Sequence, residues 1–375
     1  MLMIAIIGCI VSLALALLLT PLVKKFAIKI GAVDVPNARK VHTKIMPRLG
    51  GLAIYLAFIL SVFAVLPFVA EQFSIRDTNF IRAFLLGGSV IVLIGVLDDR
   101  FELSAKVKLL GQIVAACIVV FGFDITVDFV NIPFHNSYSS LEDWIAIPFT
   151  IFWIVGVTNA INLIDGLDGL AAGVSGIAIG TILVMALLMG NLTVALLCLL
   201  LLGAVIGFLF FNFHPAQIFM GDTGSLFLGF SLALLSMLGF KQVAIVSFIT
   251  PLIIIGVPLS DTFFAIVRRW IQKKPIFAPD KGHLHHCLRE IGFSHRQSVL
   301  IVYGIAAFFG VLAVIQSSAA MYEANWVTFV VICVMMFFLQ IGAEVIGLVG
   351  KTKRPILNLI ARVRMKASAE QRGSE

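Results

Sequence analysis

Two adjacent carboxylates, Asp98 and Asp99, follow an apolar stretch of the chain and precede two lysines, Lys106 and Lys108. A membrane helix that runs into two carboxylates is costly unless they are solvated or used. Paired carboxylates suit Mg²⁺, which prefers oxygen ligands, and lysines suit phosphate groups. A single aspartate would be ordinary at a helix end, but this pair with two lysines favours a site for a metal and a phosphate.

A second cluster places an amide or a carboxylate at every third position of NAINLIDGLDGL (159–170). Its members are Asn159, Asn162, Asp165 and Asp168. Side chains three residues apart drift by about 60° around a helix at each step, so these four cannot share one face. Gly166 and Gly169 predict that the helix opens there and turns polar groups toward a ligand. The alternative is a polar turn between two spans.

The third cluster is FHPAQIFMGDTGS (213–225), in which Asp222 precedes an apolar segment. Asp222 is predicted to cap the N-terminus of a helix. The free N–H groups and the positive dipole end of such a terminus are a natural seat for phosphate. On this motif alone, a capped helix without further function is an equal alternative.

Three of the seven histidines lie within four positions, in DKGHLHHCL (280–288). Zinc is a poor interpretation, because helical ligands need a spacing of three or four, and only His283 with His286 or Cys287 has it. The functional interpretation is that Lys281 and the histidines donate hydrogen bonds to an anionic substrate. The alternative is a solvated loop.

The rest of the chain has the composition of a membrane protein. Hydrophobic residues make up 60% of it and charged residues 13%, about half the charged share of a soluble domain. Many apolar runs approach or exceed the roughly 20 residues that cross a bilayer core. The sequence predicts an all-α polytopic integral membrane protein with an integral domain over 1–350 and a basic tail at 351–375. Its eleven predicted helices lie near 2–23, 50–69, 80–97, 105–122, 143–163, 169–189, 193–212, 223–240, 243–266, 298–316 and 326–349.

Basic residues determine the predicted orientation. With the N-terminus outside, 24 of the 27 Lys and Arg residues fall on the inside, and only Arg76, Arg82 and Lys241 fall outside. Lys and Arg accumulate on the cytoplasmic side of membrane proteins, so the C-terminus and all four polar clusters are predicted to be cytoplasmic. The net charge of +7 suits anionic lipids and anionic substrates, and nothing in the sequence calls for nucleic acid.

Two further features lie outside the polar clusters. The ninth predicted helix contains Pro251, Gly256 and Pro258 and is expected to be broken or bent. Asp261 would then lie at an intramembrane bend, satisfied by a neighbouring backbone group or by Arg268. The outside segment DITVDFVNIPF (124–134) alternates apolar and polar residues and predicts a short strand or hairpin.

In this order, the polar clusters resemble the polyprenyl-phosphate N-acetylhexosamine-1-phosphate transferase superfamily over nearly the whole chain. The similarity is closest to the bacterial branch that acts on UDP-GlcNAc and undecaprenyl phosphate. In the MurNAc-pentapeptide branch three histidines are consecutive, whereas Leu284 interrupts them here. The motifs are VHTKIMPRLGG (41–51), GVLDDR (95–100), SAKVKLLGQ (104–112), NAINLIDGLDGL (159–170), FNFHPAQIFMGDTGS (211–225) and PDKGHLHHCL (279–288).

This resemblance implies a role for each cluster. Asp222 would be the principal Mg²⁺ ligand, with Asn162 as a second metal contact and with Mn²⁺ able to substitute. The implied catalytic residues are Asp98, Asp99, Asp165, Lys108, His283, His285 and His286. The implied substrate-binding residues are Phe219, Gly166, Leu167, Asp168, Lys106, Arg48, His42 and Lys281. Among these, Phe219 would stack on uracil and the turn at 166–168 would contact uridine.

The implied reaction transfers GlcNAc-1-phosphate from UDP-GlcNAc to undecaprenyl phosphate and releases UMP. It would be the first membrane step of a cell-envelope polymer: a teichoic acid linkage unit, enterobacterial common antigen or O-antigen. The implied setting is a homodimer in the bacterial cell membrane, in contact with membrane lipids, with a groove at the bend of the ninth helix that admits the prenyl tail beside the active site.

The sequence leaves two alternatives to this reaction. One is a phospho-MurNAc-pentapeptide transferase-type activity. The other is a membrane transporter, which would place its acids near the bilayer midplane and show symmetry between its halves. Here the acids are predicted at one face, and the sequence shows no internal repeat.

Overall fold

The structure is a computed structural model that describes residues 1–34, 45–127, 129–131, 138–238, 249–273, 282–321 and 324–345. Two predicted substrate contacts, His42 and Lys281, lie outside these residues, as does the predicted tail at 351–375.

Helices make up most of the described chain. They are α1 (Leu2–Ile30), α2 (Gly50–Val69), α3 (Ile75–Phe101), α4 (Ala105–Phe123), α5 (Asp143–Ile164), α6 (Leu170–Leu188), α7 (Leu192–Asn212), α8 (Gly221–Leu238), α9 (Ile249–Ile254), α10 (Gly256–Ile271), α11 (Leu284–Glu290), α12 (His295–Met321) and α13 (Asn325–Val345), with a 3-10 turn at Ala70–Gln72. Strands β1 (Val33–Asp34) and β2 (Met46–Pro47) pair antiparallel. So do β3 (Phe129–Asn131) and β4 (Tyr138–Ser140), which confirms the strand predicted within 124–134.

Within the described residues, every predicted span coincides with helical structure, and the all-α polytopic fold is confirmed. Nine helices in the described residues are long and apolar enough to cross a membrane, and α8 is a shorter apolar helix. The ninth predicted span is broken as expected, because α9 ends at Ile254 and α10 begins at Gly256. Pro258 lies in the first turn of α10, where its missing N–H costs no helical hydrogen bond.

The largest boundary error concerns α1, which continues to Ile30 instead of 23, and α3 begins at Ile75 instead of 80. Ser74 and Asp77 form a capping box that starts α3 earlier. The helix also continues to Phe101, so Asp98 and Asp99 lie inside its last turns rather than after its end.

Helix α8 lies at the centre of the bundle, packed against α2, α3, α5 and α6. Two glycines allow this close approach. A Cβ at Gly51 of α2 would overlap the backbone of Gly224, and a Cβ at Gly95 of α3 would overlap the backbone of Thr223. Small residues let membrane helices come this close. This packing brings the start of α8, with Asp222, beside the carboxylates of α3.

Candidate active site

The ends of many spans meet around one cavity. Because successive spans alternate in direction, the C-terminal ends of α3, α5 and α7 and the N-terminal ends of α4, α6, α8 and α12 share one end of the bundle. A cavity of about 710 Å³ lies there, a size typical of small-molecule sites. It is lined by Asp34, Met46, Arg48, Asn162, Asp165, Gly166, Leu167, Asp168, Asn212, His214, Pro215, Ala216, Phe219, Met220, Gly221, Asp222 and His295.

At one side of this cavity, Lys108 bridges two carboxylates. Its Nζ donates to Asp222 Oδ2 at 2.8 Å and lies 3.3 Å from Asp98 Oδ2. The Lys108 side chain is 26% exposed and that of Asp98 is 6% exposed. Charged groups this close in a partly dry site interact strongly. The structure therefore joins three predicted residues that are as many as 124 positions apart in the chain.

Asp99 has a different environment from its neighbour, because it caps α8 from a separate helix. Its carboxylate accepts from the Asp222 N–H at 2.9 Å, from the Thr223 N–H at 3.0 Å and from the Thr223 hydroxyl at 2.6 Å. Gly221 (φ 70°) is the residue that permits this approach, since a Cβ there would overlap Asp99. The Asp99 side chain is fully buried, which fits a positioning role for it.

This cap corrects the interpretation of the α8 N-terminus. Asp222 is not the N-cap but lies in the first turn, because the helix already begins at Gly221. The first two N–H groups after Gly221 are bound to Asp99, so they do not form the predicted phosphate seat. Asp222 instead projects its carboxylate to Lys108 and the cavity.

The oxygen atoms around Asp222 fit a hard cation. Asp98 Oδ1 is buried and has no hydrogen-bond partner among the described residues. Asn162 donates its amide N–H to Ser225 Oγ at 2.8 Å, which assigns its carbonyl oxygen as the atom available to a cation. Asp165 lines the same cavity, and burial, followed by the charges of Asp222 and Asp99, raises its pKa to about 8. A cation would reverse that shift by favouring the carboxylate.

The turn between α5 and α6 is held by Asn212 and His214, to which the resemblance assigned no role. Asp168 Oδ2 accepts from His214 Nδ1 at 2.7 Å and from the Ala216 N–H at 3.2 Å. Asn212 accepts from the Gly169 N–H and donates to the Ile218 carbonyl. The turn at 166–168 thereby faces the cavity. Asn212 and His214 lie in the quoted motif 211–225.

His295 completes this wall of the cavity. Its ring stacks on that of His214, with centroids 4.1 Å apart and planes 17° apart. Asp168, His214 and His295 together carry ligand atoms within 4.8 Å of one another. An imidazole binds a metal in its own ring plane, so two nearly parallel rings do not direct both nitrogens to one ion. The arrangement is a stacked wall rather than a metal centre.

The described part of the histidine segment, residues 282–288, is mainly a helix with buried side chains and not a solvated loop. His283 precedes α11, and His283 and His285 are both buried. The Nε2 of His285 has no hydrogen-bond partner among the described residues and lies against Gly166, where a Cβ would overlap it. Burial, with a smaller contribution from His286, lowers the pKa of His285 to about 4. The segment is thus joined to the cavity through the turn at 166–168.

The remaining predicted contacts separate into two groups. Phe219 and Arg48 line the cavity, and the guanidinium of Arg48 lies 3.9 Å from Asp34, Asp99 and Glu102 carboxylates. Lys106 is exposed and has no described contact with the carboxylates that hold Lys108. The structure thus gives the two lysines of the motif 104–112 different environments.

Comparison with known proteins agrees with this geometry. A family profile described as glycosyl transferase family 4 matches residues 81–240, which include Lys108, Asp165 and Asp222. The chain is 48% identical, over 96% of each protein, to the probable undecaprenyl-phosphate N-acetylglucosaminyl 1-phosphate transferase of Bacillus subtilis (strain 168). It is 36% identical, over 76% of each protein, to the decaprenyl-phosphate N-acetylglucosaminephosphotransferase of Mycobacterium tuberculosis (strain ATCC 25618 / H37Rv).

A less similar relative has a name of the same kind. The undecaprenyl-phosphate alpha-N-acetylglucosaminyl 1-phosphate transferase of Escherichia coli (strain K12) is 28% identical over 94% of this chain and 92% of that protein. The match in B. subtilis covers nearly the whole of both chains, and the profile covers the central helices that build the cavity. The chain therefore belongs to glycosyl transferase family 4, the polyprenyl-phosphate amino-sugar-1-phosphate transferases.

Proposed function

We propose that this chain transfers GlcNAc-1-phosphate from UDP-GlcNAc to undecaprenyl phosphate, with UMP as the second product. The observation that carries the proposal is the Lys108 ammonium, held between Asp98 and Asp222 at the edge of a cavity that Asp165 and Phe219 also line. Two anionic reactants can meet there only if their charge is offset. The names of the B. subtilis and E. coli relatives support the choice of acceptor and sugar.

In this reaction an oxygen of the lipid phosphate attacks the phosphorus that bears GlcNAc. The bond from that phosphorus to the bridging oxygen breaks, and the oxygen leaves with UMP. Charge develops on oxygens around the transferred phosphorus, so fixed cations contribute most of the rate. Lys108 is placed for this role, because Asp98 and the cavity-lining Asp222 hold its ammonium in one position.

Proton removal contributes little in this mechanism. A phosphate monoester has a second pKa near 6, so most of the lipid phosphate is already a dianion at pH 7. Asp98 is already engaged with Lys108. We therefore assign Asp98 to positioning and electrostatics, with no requirement for a general base.

We also propose Mg²⁺ as the cofactor, with Mn²⁺ able to substitute. Asp222, Asn162 and Asp98 would hold it, because their oxygens are the hard ligands that Mg²⁺ prefers. When bound, the ion supplies charge neutralisation to the reacting phosphates. The donor set contains no sulfur atom, and the ring arrangement at Asp168 is unsuited to a metal, so we place the ion at Asp222.

The proposed setting is the bacterial cell membrane, with the cavity facing the cytoplasm, where UDP-GlcNAc is available. The surface of α13 supports contact with lipid, since only 11% of the apolar stretch of this helix is buried within the protein. Large apolar residues such as Trp326, Phe329 and Phe337 are exposed on that helix. The homodimer implied by the resemblance stays a prediction.

The test is a transfer assay with the purified full-length protein in lipid. UMP should appear only when UDP-GlcNAc, undecaprenyl phosphate and Mg²⁺ are all present, in equal amount with lipid-linked GlcNAc. Replacing the donor by UDP-MurNAc-pentapeptide tests the alternative activity and should give no product. UMP release without the lipid phosphate would contradict the proposal, because it would indicate hydrolysis instead of transfer.

A further inference from the structure

Asp261 is a carboxylate that the proposed chemistry does not use, although it is 4% exposed and lies in α10, just after the break in the ninth span. A carboxylate buried in a membrane domain is costly unless each oxygen has a partner. Both partners come from the histidine segment. Asp261 Oδ2 lies 2.8 Å from His283 Nδ1, and Oδ1 accepts from the Leu284 N–H at 2.8 Å.

These two contacts determine where α11 begins. Leu284 is the first residue of α11, and His283, its N-cap residue, makes no side-chain cap of its own. The first N–H groups of a helix need acceptors from outside it. Asp261 supplies that acceptor from α10, 23 residues earlier in the chain. The sequence offered a backbone group or Arg268 as the partner of Asp261; the Leu284 N–H is such a backbone group, and Arg268 lies close to Gly282.

The contacts also determine which nitrogen of the His283 ring carries the proton. An ionised carboxylate can only accept, so His283 Nδ1 carries a proton and donates to Asp261. The other nitrogen, Nε2, is then the ring atom left for a further contact. A carboxylate that fixes an imidazole in this way sets both its tautomer and its orientation.

A row of histidine rings connects His283 to the cavity wall. The rings of His283 and His285 are nearly parallel, with centroids 5.9 Å apart and planes 7° apart. The ring of His286 lies 4.3 Å from that of His285. His285 Nε2 is buried, has no partner among the described residues and lies against Gly166. Any shift of α11 would therefore move a buried polar atom that faces the turn lining the cavity.

We propose that Asp261 is a positioning residue for the transfer reaction: from the break in the ninth span it anchors His283 and Leu284, and so holds His285 against the Gly166 turn. This inference rests on the proposed function for its catalytic consequence. The anchoring itself is independent of which sugar nucleotide is used.

The main variant is Asp261→Asn. Asparagine keeps an acceptor for the Leu284 N–H but places an NH₂ group opposite His283 Nδ1, which forces the other tautomer. Loss of the group that orients a metal-bound histidine typically lowers activity by about 10–100-fold. We take the same range for the ring of His283 and expect kcat to fall by about 10–100-fold, with a smaller change in KM for UDP-GlcNAc. Gln316→Met is the matched control, because it removes a buried hydrogen bond (to Thr328) between α12 and α13, outside the cavity lining.

A double variant tests whether Asp261 affects kcat through His283. If Asp261 acts through His283, then Asp261→Asn combined with His283→Ala should be no slower than His283→Ala alone. Additive losses would overturn the proposal. Leu284→Pro, compared with Leu284→Ala, removes only the second contact, and proline is tolerated at the first position of a helix. It should lower kcat further than Leu284→Ala does.

Hydrogen exchange separates this inference from the proposed function. Amides of α11 should exchange faster in Asp261→Asn than in the parent or in Gln316→Met, whatever the substrate. Unchanged exchange would overturn the anchor, and faster exchange with parental kcat would overturn the positioning role. If the parent protein itself released no UMP, the proposed function would fail while the anchor could still be judged from exchange. If Asp261→Asn does not fold, Leu284→Pro provides the same two readouts.

Discussion

Replacement of Lys108 by methionine should abolish most of the activity while keeping the fold. The ammonium lies 2.8 Å from Asp222 and 3.3 Å from Asp98. At an effective dielectric constant of about 20, each attraction is about 5–6 kcal/mol before desolvation is counted. Breaking a buried pair costs about 3–5 kcal/mol. Because Lys108 keeps part of its exposure, we expect a loss of about 3 kcal/mol of unfolding free energy, reduced further as one carboxylate takes up a proton.

The effect on rate should be larger than the effect on stability. Removing one group that offsets charge in the transition state costs about 2.7–4 kcal/mol, or roughly 10²–10³ in kcat. The assay is the initial rate of UMP release at saturating substrates and Mg²⁺, with a thermal melt of each variant. The matched control is Lys106→Met, which removes an exposed lysine two positions away on the same helix. Equal activity in the two variants would refute the assignment of Lys108.

Three further predictions address other parts of the account. Gly166→Ala should push His285 away, since the added Cβ would overlap His285 Nε2, and such overpacking should cost about 1–3 kcal/mol of stability. Gly180→Ala is the control, because nothing lies within 4 Å of a Cβ at that position. Equal melting temperatures of the two variants would contradict the contact between Gly166 and His285. Burial lowers the pKa of His285 to about 4. Between pH 6.5 and 4 the unfolded chain therefore binds a proton that the folded protein does not, and the free energy of unfolding should fall with decreasing pH, by up to about 3 kcal/mol. His285→Gln should flatten that part of the melting profile, and an unchanged slope would count against the burial of a neutral ring. A reporter inserted after Phe73, between the 3-10 turn and α3, should report the outside, and a cytoplasmic signal there would reverse the predicted orientation of the cavity.

The spans and the polar clusters could be predicted because both are local properties of the sequence. Apolar length identifies a span, and a carboxylate pair before two lysines is unusual in any apolar chain. Alternation of span direction then brings the clusters to one end of the bundle. This reasoning predicted that Asp98, Lys108 and Asp222 would converge, and the structure joins them directly.

Contacts that depend on long-range packing were not predictable. Asp99 caps α8 only because Gly95 and Gly51 let that helix approach α3 and α2 closely. The adjacent carboxylates of Asp98 and Asp99 therefore have different environments, although the sequence presents them as an equivalent pair. His295 carries no motif spacing that links it to His214, 81 positions earlier. The buried state of His283 likewise depends on a partner in another helix.

The central claim is transfer of a phosphorylated sugar to a lipid phosphate at a site neutralised around Asp222. The most direct test is an Mg²⁺ titration of UMP release by the parent and by Asp222→Asn, with lipid-linked GlcNAc measured in the same samples. The parent should form equal amounts of UMP and lipid-linked GlcNAc. We also expect a rate lower by roughly 10²–10³ in Asp222→Asn, not restored by more Mg²⁺, because the amide cannot supply the missing charge. Near-parental turnover of Asp222→Asn at saturating Mg²⁺ would contradict the account.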